Sequence, residues 1–422
     1  MNIKFITLGC KVNQYETQSM REAFIRKGHT SDDGIKPDIV IINSCSVTAE
    51  SDRKTRQILS RERRNNPSAA VVLTGCMVQA YPDDSKMLDA DLVIGNKDLS
   101  DIVEKAVCAA TNREKSFFYI PHKSGDPYNT SPISRFDGRT RAFMKIEDGC
   151  DRFCSYCIIP YARGRVRSRN LESIRVEAES LAKNGFSEIV LVGINLSAYG
   201  KGEETDICDA VEAVCAVNGI ERVRLGSLEP DHINDSMLNR LKSQKKFCPQ
   251  FHLSLQSGCD ETLKRMNRHY DSAFYLDLIT RIRNIFPDAA ITTDIMVGFA
   301  GETEEEFNKS LEFAKKANFS RAHIFSYSKR EGTVAAKYED QVKSSEKARR
   351  SELMIKVTNE SEEDFLDSYI GKKVSVLFEK NNEGYTPNYL RVVLKENSAL
   401  IGEIADVIIT ERIDKHLLGN KL

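Results

Sequence analysis

Cys150, Cys154 and Cys157 stand at a C-x3-C-x2-C spacing and run directly into Arg163, Arg165, Arg167 and Arg169. Thiolates this close in sequence can reach one soft metal centre. A structural zinc site closes with four ligands, and no fourth cysteine or histidine stands nearby in the sequence. An iron-sulfur cube takes a cysteine at each iron, so a 4Fe-4S cluster held by three keeps one iron open to another molecule.

Cys10, Cys45 and Cys76 form a second set. Each falls just beyond a strand-like run, in Leu8-Gly9-Cys10, Asn43-Ser44-Cys45 and Thr74-Gly75-Cys76. The turns after parallel strands share one sheet edge, where ligands bind in open α/β folds. The positions predict a second three-cysteine site. Any one of these thiols alone would read as a small buried side chain. Cys108, inside a helical stretch, carries no such expectation.

The elements that must position these cysteines are readable from hydrophobic pattern. Ile3 to Leu8, Asp38 to Ile42, Ala69 to Thr74 and Asp91 to Ile94 are short apolar runs that suit buried parallel strands, separated by the amphipathic stretches Asn13 to Lys27 and Val47 to Asn65. This predicts an N-terminal open parallel α/β sheet domain over 1–111. A Pro- and Gly-bearing linker is expected over 112–138. A central domain over 139–368 resumes the alternation, with strands near Arg141 to Ile146, Glu188 to Val192, Arg222 to Leu225, Phe251 to Leu255, Ala290 to Met296 and His323 to Ser326. Six such βα units suggest a partial (β/α)6 barrel with a wide mouth. Ser344 to Asp367 reads as a long connecting helix, and 369–422 as a small all-β barrel with strands at Val374 to Phe378, Leu390 to Leu394 and Val407 to Thr410, and a turn at 381–384.

Polar residues gather again after the central strands: Gly193-Ile194-Asn195, Ser227-Leu228-Glu229, Gln256-Ser257-Gly258 and Gly298 to Glu302, with Asp294 near the end of another strand. Barrel active sites are built from these loops, which places them around Cys150 to Cys157.

Composition sets the outer bounds. In 422 residues, 41% are hydrophobic, 29% charged and the net charge is -1, which describes a soluble globular chain with more than one core. A near-neutral total means that any RNA surface must come from local clusters. The first residues lack a signal-peptide core and no apolar run approaches the ~18 residues of a membrane span, so a cytoplasmic chain with no membrane partner is expected. In that compartment, cysteines serve as metal ligands or core residues rather than as disulfides.

The motif Cys150-x3-Cys154-x2-Cys157, with Tyr156 before the last cysteine, resembles the radical S-adenosylmethionine signature. The run from Thr7 to Thr17, around Gly9-Cys10-Lys11-Val12-Asn13-Gln14, resembles the start of methylthiotransferases. The wording from Cys157 to Gly164, and His252 to Asn267, is most similar to the branch that modifies N6-threonylcarbamoyladenosine in tRNA. The likeness spans essentially the whole chain. It implies that the C-terminal barrel is the RNA-binding module called TRAM, and that Cys150, Cys154 and Cys157 hold a radical-generating 4Fe-4S cluster whose open iron binds S-adenosylmethionine. It implies that Cys10, Cys45 and Cys76 hold an auxiliary 4Fe-4S cluster that carries the sulfur. Tyr156, Asn195, Glu229, Gln256 and Asp294 become candidate contacts to S-adenosylmethionine. Ala300 stands where the family has Pro in the turn Gly298 to Thr303, which bears on loop rigidity.

Arg163, Arg165, Arg167 and Arg169 alternate and would share one face of an extended segment; contact with RNA phosphates, assigned to Arg163, Arg165 and Arg167 with Arg391, or with the S-adenosylmethionine carboxylate is expected of them. Tyr385 and Tyr389 are candidate base platforms. The expected partners are a tRNA anticodon stem-loop and a low-potential electron donor such as flavodoxin or ferredoxin, with the enzyme acting as a monomer. The alternatives are methylthiolation of isopentenyladenosine in tRNA or of a ribosomal-protein aspartate. A reading of another class is a non-catalytic RNA-binding protein whose cysteines hold zinc.

Overall fold

The fold is taken from a computed structural model that describes residues 1–380, 382–396 and 399–422. Asn381, part of the expected turn at 381–384, lies outside the described residues.

Five parallel strands, β1 (Ile3–Thr7), β2 (Ile39–Ser44), β3 (Ala70–Gly75), β4 (Leu92–Ile94) and β5 (Ser116–Phe118), lie side by side in chain order. Ile39 and Ile41 join Phe24 and Val72 in one core, while Val40 and Ile42 join Leu59, Val71 and Leu73 on the opposite face. Burial on both faces explains why β2 and β3 are unbroken apolar runs rather than alternating ones. The segment expected as a linker contributes β5, and its later part is bound rather than loose. The Ser131 carbonyl accepts from Ser19 Oγ at 2.9 Å, the Glu22 carboxylate accepts from Ser134 N at 3.0 Å, and Ile133 and Phe136 are core residues.

The central domain is an open barrel of parallel strands. β6 (Arg141–Lys145) leads into β7 (Glu147–Asp148), which pairs antiparallel with β8 (Arg167–Ser168) and so closes the base of the cysteine loop. β9 (Glu188–Val192), β10 (Arg222–Leu225), β11 (Ser227–Leu228), β12 (Gln250–Gln256), β13 (Ala290–Val297) and β14 (Arg321–Ser326) complete the wall. β10 and β11 are one strand interrupted at Gly226: the first part pairs with β9 and the second with β12. β6 and β14 are the free edges, so the barrel is partial, as expected. The helices Leu171–Lys183, Ile207–Cys215, Asp235–Ser243, Ser272–Ile285 and Glu304–Ala317 intervene between the strands. The long helix Ser344–Asp367 packs along β14, where Lys347 Nζ donates to the Tyr327 carbonyl at 2.9 Å.

The C-terminal barrel closes in the order β15 (Lys373–Lys380), β16 (Glu383–Tyr385), β17 (Arg391–Leu394), β19 (His416–Lys421), β18 (Ile404–Ile413). β16 and β19 are additions to the three strands expected. β16 carries Gly384 because a side chain there would collide with the Leu377 carbonyl on the neighbouring strand. This barrel seats on the floor of the central one. Arg141, Glu188 and Arg222 are the first residues of β6, β9 and β10. Arg222 donates to the Tyr385 carbonyl and to Ser375 Oγ, each at 2.9 Å, and Arg224 donates to the Pro387 carbonyl at 2.7 Å. Tyr385 and Tyr389 stack at 4.8 Å against each other, with the Arg141 guanidinium 5.1 and 4.9 Å from their centroids. These two tyrosines are therefore interdomain clamps rather than open platforms for bases.

Candidate active site

Cys10 precedes the helix Lys11–Arg26, Cys45 follows β2, and Cys76 opens the short helix Cys76–Ala80 after β3. Gly9 and Gly75 have φ of 101° and 99°, in the region that favours glycine. A Cβ on Gly9 would stand 2.8 Å from Cys45 Cβ, and one on Gly75 would fall on the Ser44 backbone. The glycines before two of the cysteines thus allow the three turns to close on one another. Asn13 ties them: Nδ2 donates to the carbonyls of Leu8 and Ser44, each at 2.9 Å, and Oδ1 lies 3.7 Å from Cys10 Sγ and 4.0 Å from Cys76 Sγ. Burial pushes the Cys76 thiol up to about 12, so it ionises only with a compensating cation.

The barrel cysteines sit on the loop between β7 and β8. Gly149 adopts φ of 89° and a Cβ there would overlap the Arg165 carbonyl, while Cys150 N donates to the Gly164 carbonyl at 3.0 Å. Ser155 N donates to the Met266 carbonyl at 3.0 Å and its hydroxyl to the Arg265 carbonyl at 2.8 Å, which fixes the loop across the mouth. Burial pushes Cys150 up to about 12 and Cys157 higher still. Among the described residues no three His, Cys, Asp or Glu side chains gather about a single ion. A cube distributes its thiolates over separate irons rather than gathering them on one ion, and each site supplies three soft donors.

The candidate contacts to S-adenosylmethionine divide. The Glu229 carboxylate grips Arg268, whose Nη1 also reaches Cys154 Sγ at 3.2 Å and whose Nη2 donates to the Ser254 carbonyl at 3.1 Å. Asn195 Oδ1 and Gln256 Oε1 are buried with no hydrogen-bond partner among the described residues, and Gln256 adopts φ of 68°. Unpaired buried acceptors are costly, which fits a cavity built to receive donors from a ligand. Tyr156 packs edge-on to Phe299 at 6.3 Å, and Asp294 stands 3.3 Å from His252 Nε2. The turn carrying Ala300 is rigid without proline: Gly298 N donates to Glu302 Oε2 at 2.6 Å, and that carboxylate also receives Arg350 at 2.8 Å.

Two residues here were missed in the sequence. Arg268 follows directly on the motif region ending at Asn267, and only the fold shows that it bridges Cys154 to Glu229. Glu147 is fully buried, and burial raises its carboxyl well above the usual range, followed by the charge of Asp148. Its Oε2 accepts from Asn195 N at 2.8 Å and crowds Gly193, while Oε1 has no partner among the described residues.

The arginine strip requires correction. The chain from Arg163 to Arg167 is not extended, because Arg163 ends the helix Ile159–Arg163 and Gly164 turns at φ of 72°. Arg163 is 1% exposed and points into the N-terminal domain, with Nε 3.3 Å from Cys76 Sγ, Nη2 2.8 Å from Asn13 Oδ1 and both ends of the guanidinium on Glu16. Arg167 donates to the carbonyls of Arg163 and Arg165 and pairs with Asp148 at 3.3 Å. Arg169 pairs with buried Glu177 at 2.7 Å. Arg163 and Arg167 brace the loop from inside, with their guanidinium groups committed to protein partners. Arg165 alone stays open, 4.7 Å over the ring of Phe153, which lies edge-on to exposed Tyr161. Arg391 is also exposed, with Glu383 at 2.9 Å.

The helix Cys76–Ala80 packs against the helix Ile159–Arg163, so the helix that Cys76 opens meets the one that follows Cys157. The Radical SAM superfamily profile matches residues 144–314, and that of Uncharacterized protein family UPF0004 matches residues 2–95. The chain is 36% identical, over 89% of its length and 86% of the relative's, to a threonylcarbamoyladenosine tRNA methylthiotransferase MtaB of Thermotoga maritima. It is 34% identical to a tRNA-2-methylthio-N(6)-dimethylallyladenosine synthase of Clostridium botulinum, over 99% of its length and 96% of that protein's. A radical S-adenosylmethionine methyltransferase, TsrM of Kitasatospora setae, solved with cobalamin and a 4Fe-4S cluster bound, shares the fold. Its TM-score is 0.56 at 14% identity, over 77% of this chain and 72% of that one. The two cysteine sites, the partial barrel that carries one of them and relatives matching nearly end to end place this chain in the MtaB-like methylthiotransferase family of the radical S-adenosylmethionine superfamily.

Proposed function

We propose that this protein replaces the C2 hydrogen of N6-threonylcarbamoyladenosine, beside the tRNA anticodon, by a methylthio group. The observation that carries the reading is the pair of three-cysteine sites, each one thiolate short of a closed cube, with Arg163 reaching from the loop of the barrel cysteines to Cys76. When bound, the barrel cluster would reductively cleave S-adenosylmethionine to a deoxyadenosyl radical able to abstract hydrogen from an adenine carbon beyond acid-base chemistry.

The chain's own residues do the rest. Asn195 and Gln256 offer acceptors to the nucleoside or amino groups of the cofactor, and Arg268 holds Glu229 and Cys154 in register. Arg163 carries positive charge to the thiolate of Cys76. Phe153 and Tyr161, with Arg165 beside them, offer stacking and phosphate contacts at the rim for a base that must leave its stack. We assign the electron to a low-potential donor of the flavodoxin or ferredoxin kind, and the working enzyme to a cytoplasmic monomer.

Two measurements test this. Anaerobic reconstitution should give about eight irons and as many sulfides per chain, and bound zinc without sulfide would defeat the enzyme reading. Nucleoside analysis of tRNA from a deletion strain should show 2-methylthio-N6-threonylcarbamoyladenosine lost. If that nucleoside persists while the isopentenyladenosine product or a ribosomal-protein modification disappears, the substrate assignment is wrong.

A further inference from the structure

A cavity of about 160 Å³ lies in the lumen of the central barrel, between the two edge strands β6 and β14. Lys11, Arg141, Arg224, His252, Arg321 and His323 are among its lining side chains, and no carboxylate of the described residues lines it. Arg141 and Arg224 are already committed to Glu379, Glu188 and the carbonyls of the C-terminal barrel, and act as a fixed positive wall. Arg321 has its nearest carboxylate, Glu362, at 3.8 Å. Lys11 forms no hydrogen bond or ion pair with any described residue, and its ammonium rests 5.9 Å from the Phe143 ring centroid. Lys11 thus stands without an ion-paired partner among the described residues beside a mostly cationic wall, in which His252 carries the Asp294 carboxylate at 3.3 Å, and Lys11 follows Cys10 directly in the chain.

We propose that this cavity receives the carboxylate of an amino-acid arm on N6 of the target adenine, with Lys11 as its counter-ion. The proposal rests on the substrate reading given above. C2 and N6 flank N1 on one edge of adenine, so a base that presents C2 to the sulfur site carries its arm to within roughly 10 Å of that point, a reach of six or seven bonds. Consecutive Cα atoms stand about 3.8 Å apart, so Lys11 is within such a reach of Cys10. The volume suits a small side arm and excludes a second nucleoside. An apolar isopentenyl arm in the same place offers Lys11 no acceptor, which disfavours it; the hydrogen bond to a charged group that it forgoes corresponds to a discrimination of about 10-fold.

The test uses the reconstituted full chain and labelled anticodon stem-loops that carry threonylcarbamoyladenosine or isopentenyladenosine at the same position, with binding read by fluorescence anisotropy. Wild type should prefer the acidic arm, Lys11→Met should narrow that preference by about 10-fold, and Lys11→Arg should recover most of it. A Lys11→Met protein with wild-type iron content and an unchanged preference would overturn the pocket while leaving the substrate reading intact. A wild type that itself prefers the isopentenyl loop would overturn the substrate reading, and the pocket with it.

Discussion

Arg163 Nε stands 3.3 Å from Cys76 Sγ, although the two residues belong to different domains and to the two different cysteine sites. The same guanidinium holds Glu16 with both ends. Truncation leaves Glu16 buried with Lys145 as its remaining cation, at 2.7 Å. Arg163→Met should therefore destabilise the chain by about 3 kcal/mol, measured by denaturant unfolding. Hydrogen bonds to cluster sulfurs raise reduction potential, so redox titration of the reconstituted variant should show the N-terminal cluster shifted down and the barrel cluster unmoved.

The two cysteine sites should separate by substitution. Cys154→Ala should abolish deoxyadenosine formation, while Cys45→Ala should keep some S-adenosylmethionine cleavage and lose methylthio product. Each should hold about four irons instead of about eight. Methylthiolated product from Cys45→Ala would remove that residue from the auxiliary site.

Gly149→Ala is a test of loop geometry without any change of ligand. The added methyl meets the Arg165 carbonyl at a left-handed φ. The loop must reopen, at a cost of about 1–3 kcal/mol, and iron loading of the barrel site should fall while that of the N-terminal site holds. Full loading of both would show that the loop tolerates the shift.

Arg165 and Arg391 should behave as phosphate contacts. Replacing either by Gln should weaken tRNA binding across sequences and reduce the salt slope by about one unit each, with melting temperature unchanged. Arg167→Gln should instead lower stability, because its partner Asp148 is held well below the usual carboxylate range by Lys145, Arg163 and Arg167.

Burial, reinforced by Arg167, pulls the His122 imidazole from its ordinary 6.5 down to about 4. Between those values the unfolded chain binds a proton that the folded chain refuses, so His122 costs stability as pH falls from 6.5 towards 4. Urea unfolding of His122→Gln should show a smaller loss of stability between pH 7 and pH 5 than wild type. Equal losses would mean that the imidazole is not held neutral.

The strands were legible because burial on both faces writes itself as contiguous β-branched residues, as in Ile39–Ser44 and Ala70–Gly75. The cysteines were legible because they follow those runs directly. The roles of Arg163, Arg167, Tyr385 and Tyr389 were not. Arg163 finds Glu16, and Arg141 finds the two tyrosines, at separations far beyond any local pattern, and a residue drawn as surface charge becomes interior once a distant carboxylate is packed over it. β16 escaped notice because Gly384, required for close strand approach, carries the signature of a turn.

The gap between β6 and β14 also has a bearing on biosynthesis. A parallel barrel that does not close leaves two unpaired strand edges, the usual template for pairing with another chain. The N-terminal domain that packs its first helix beside β6 is made before that strand, and the helix that lies along β14 follows it almost at once. The central domain expressed alone would carry both rims bare, so its insolubility on its own, against solubility of the full chain, is the expected signature of a barrel completed by its neighbours.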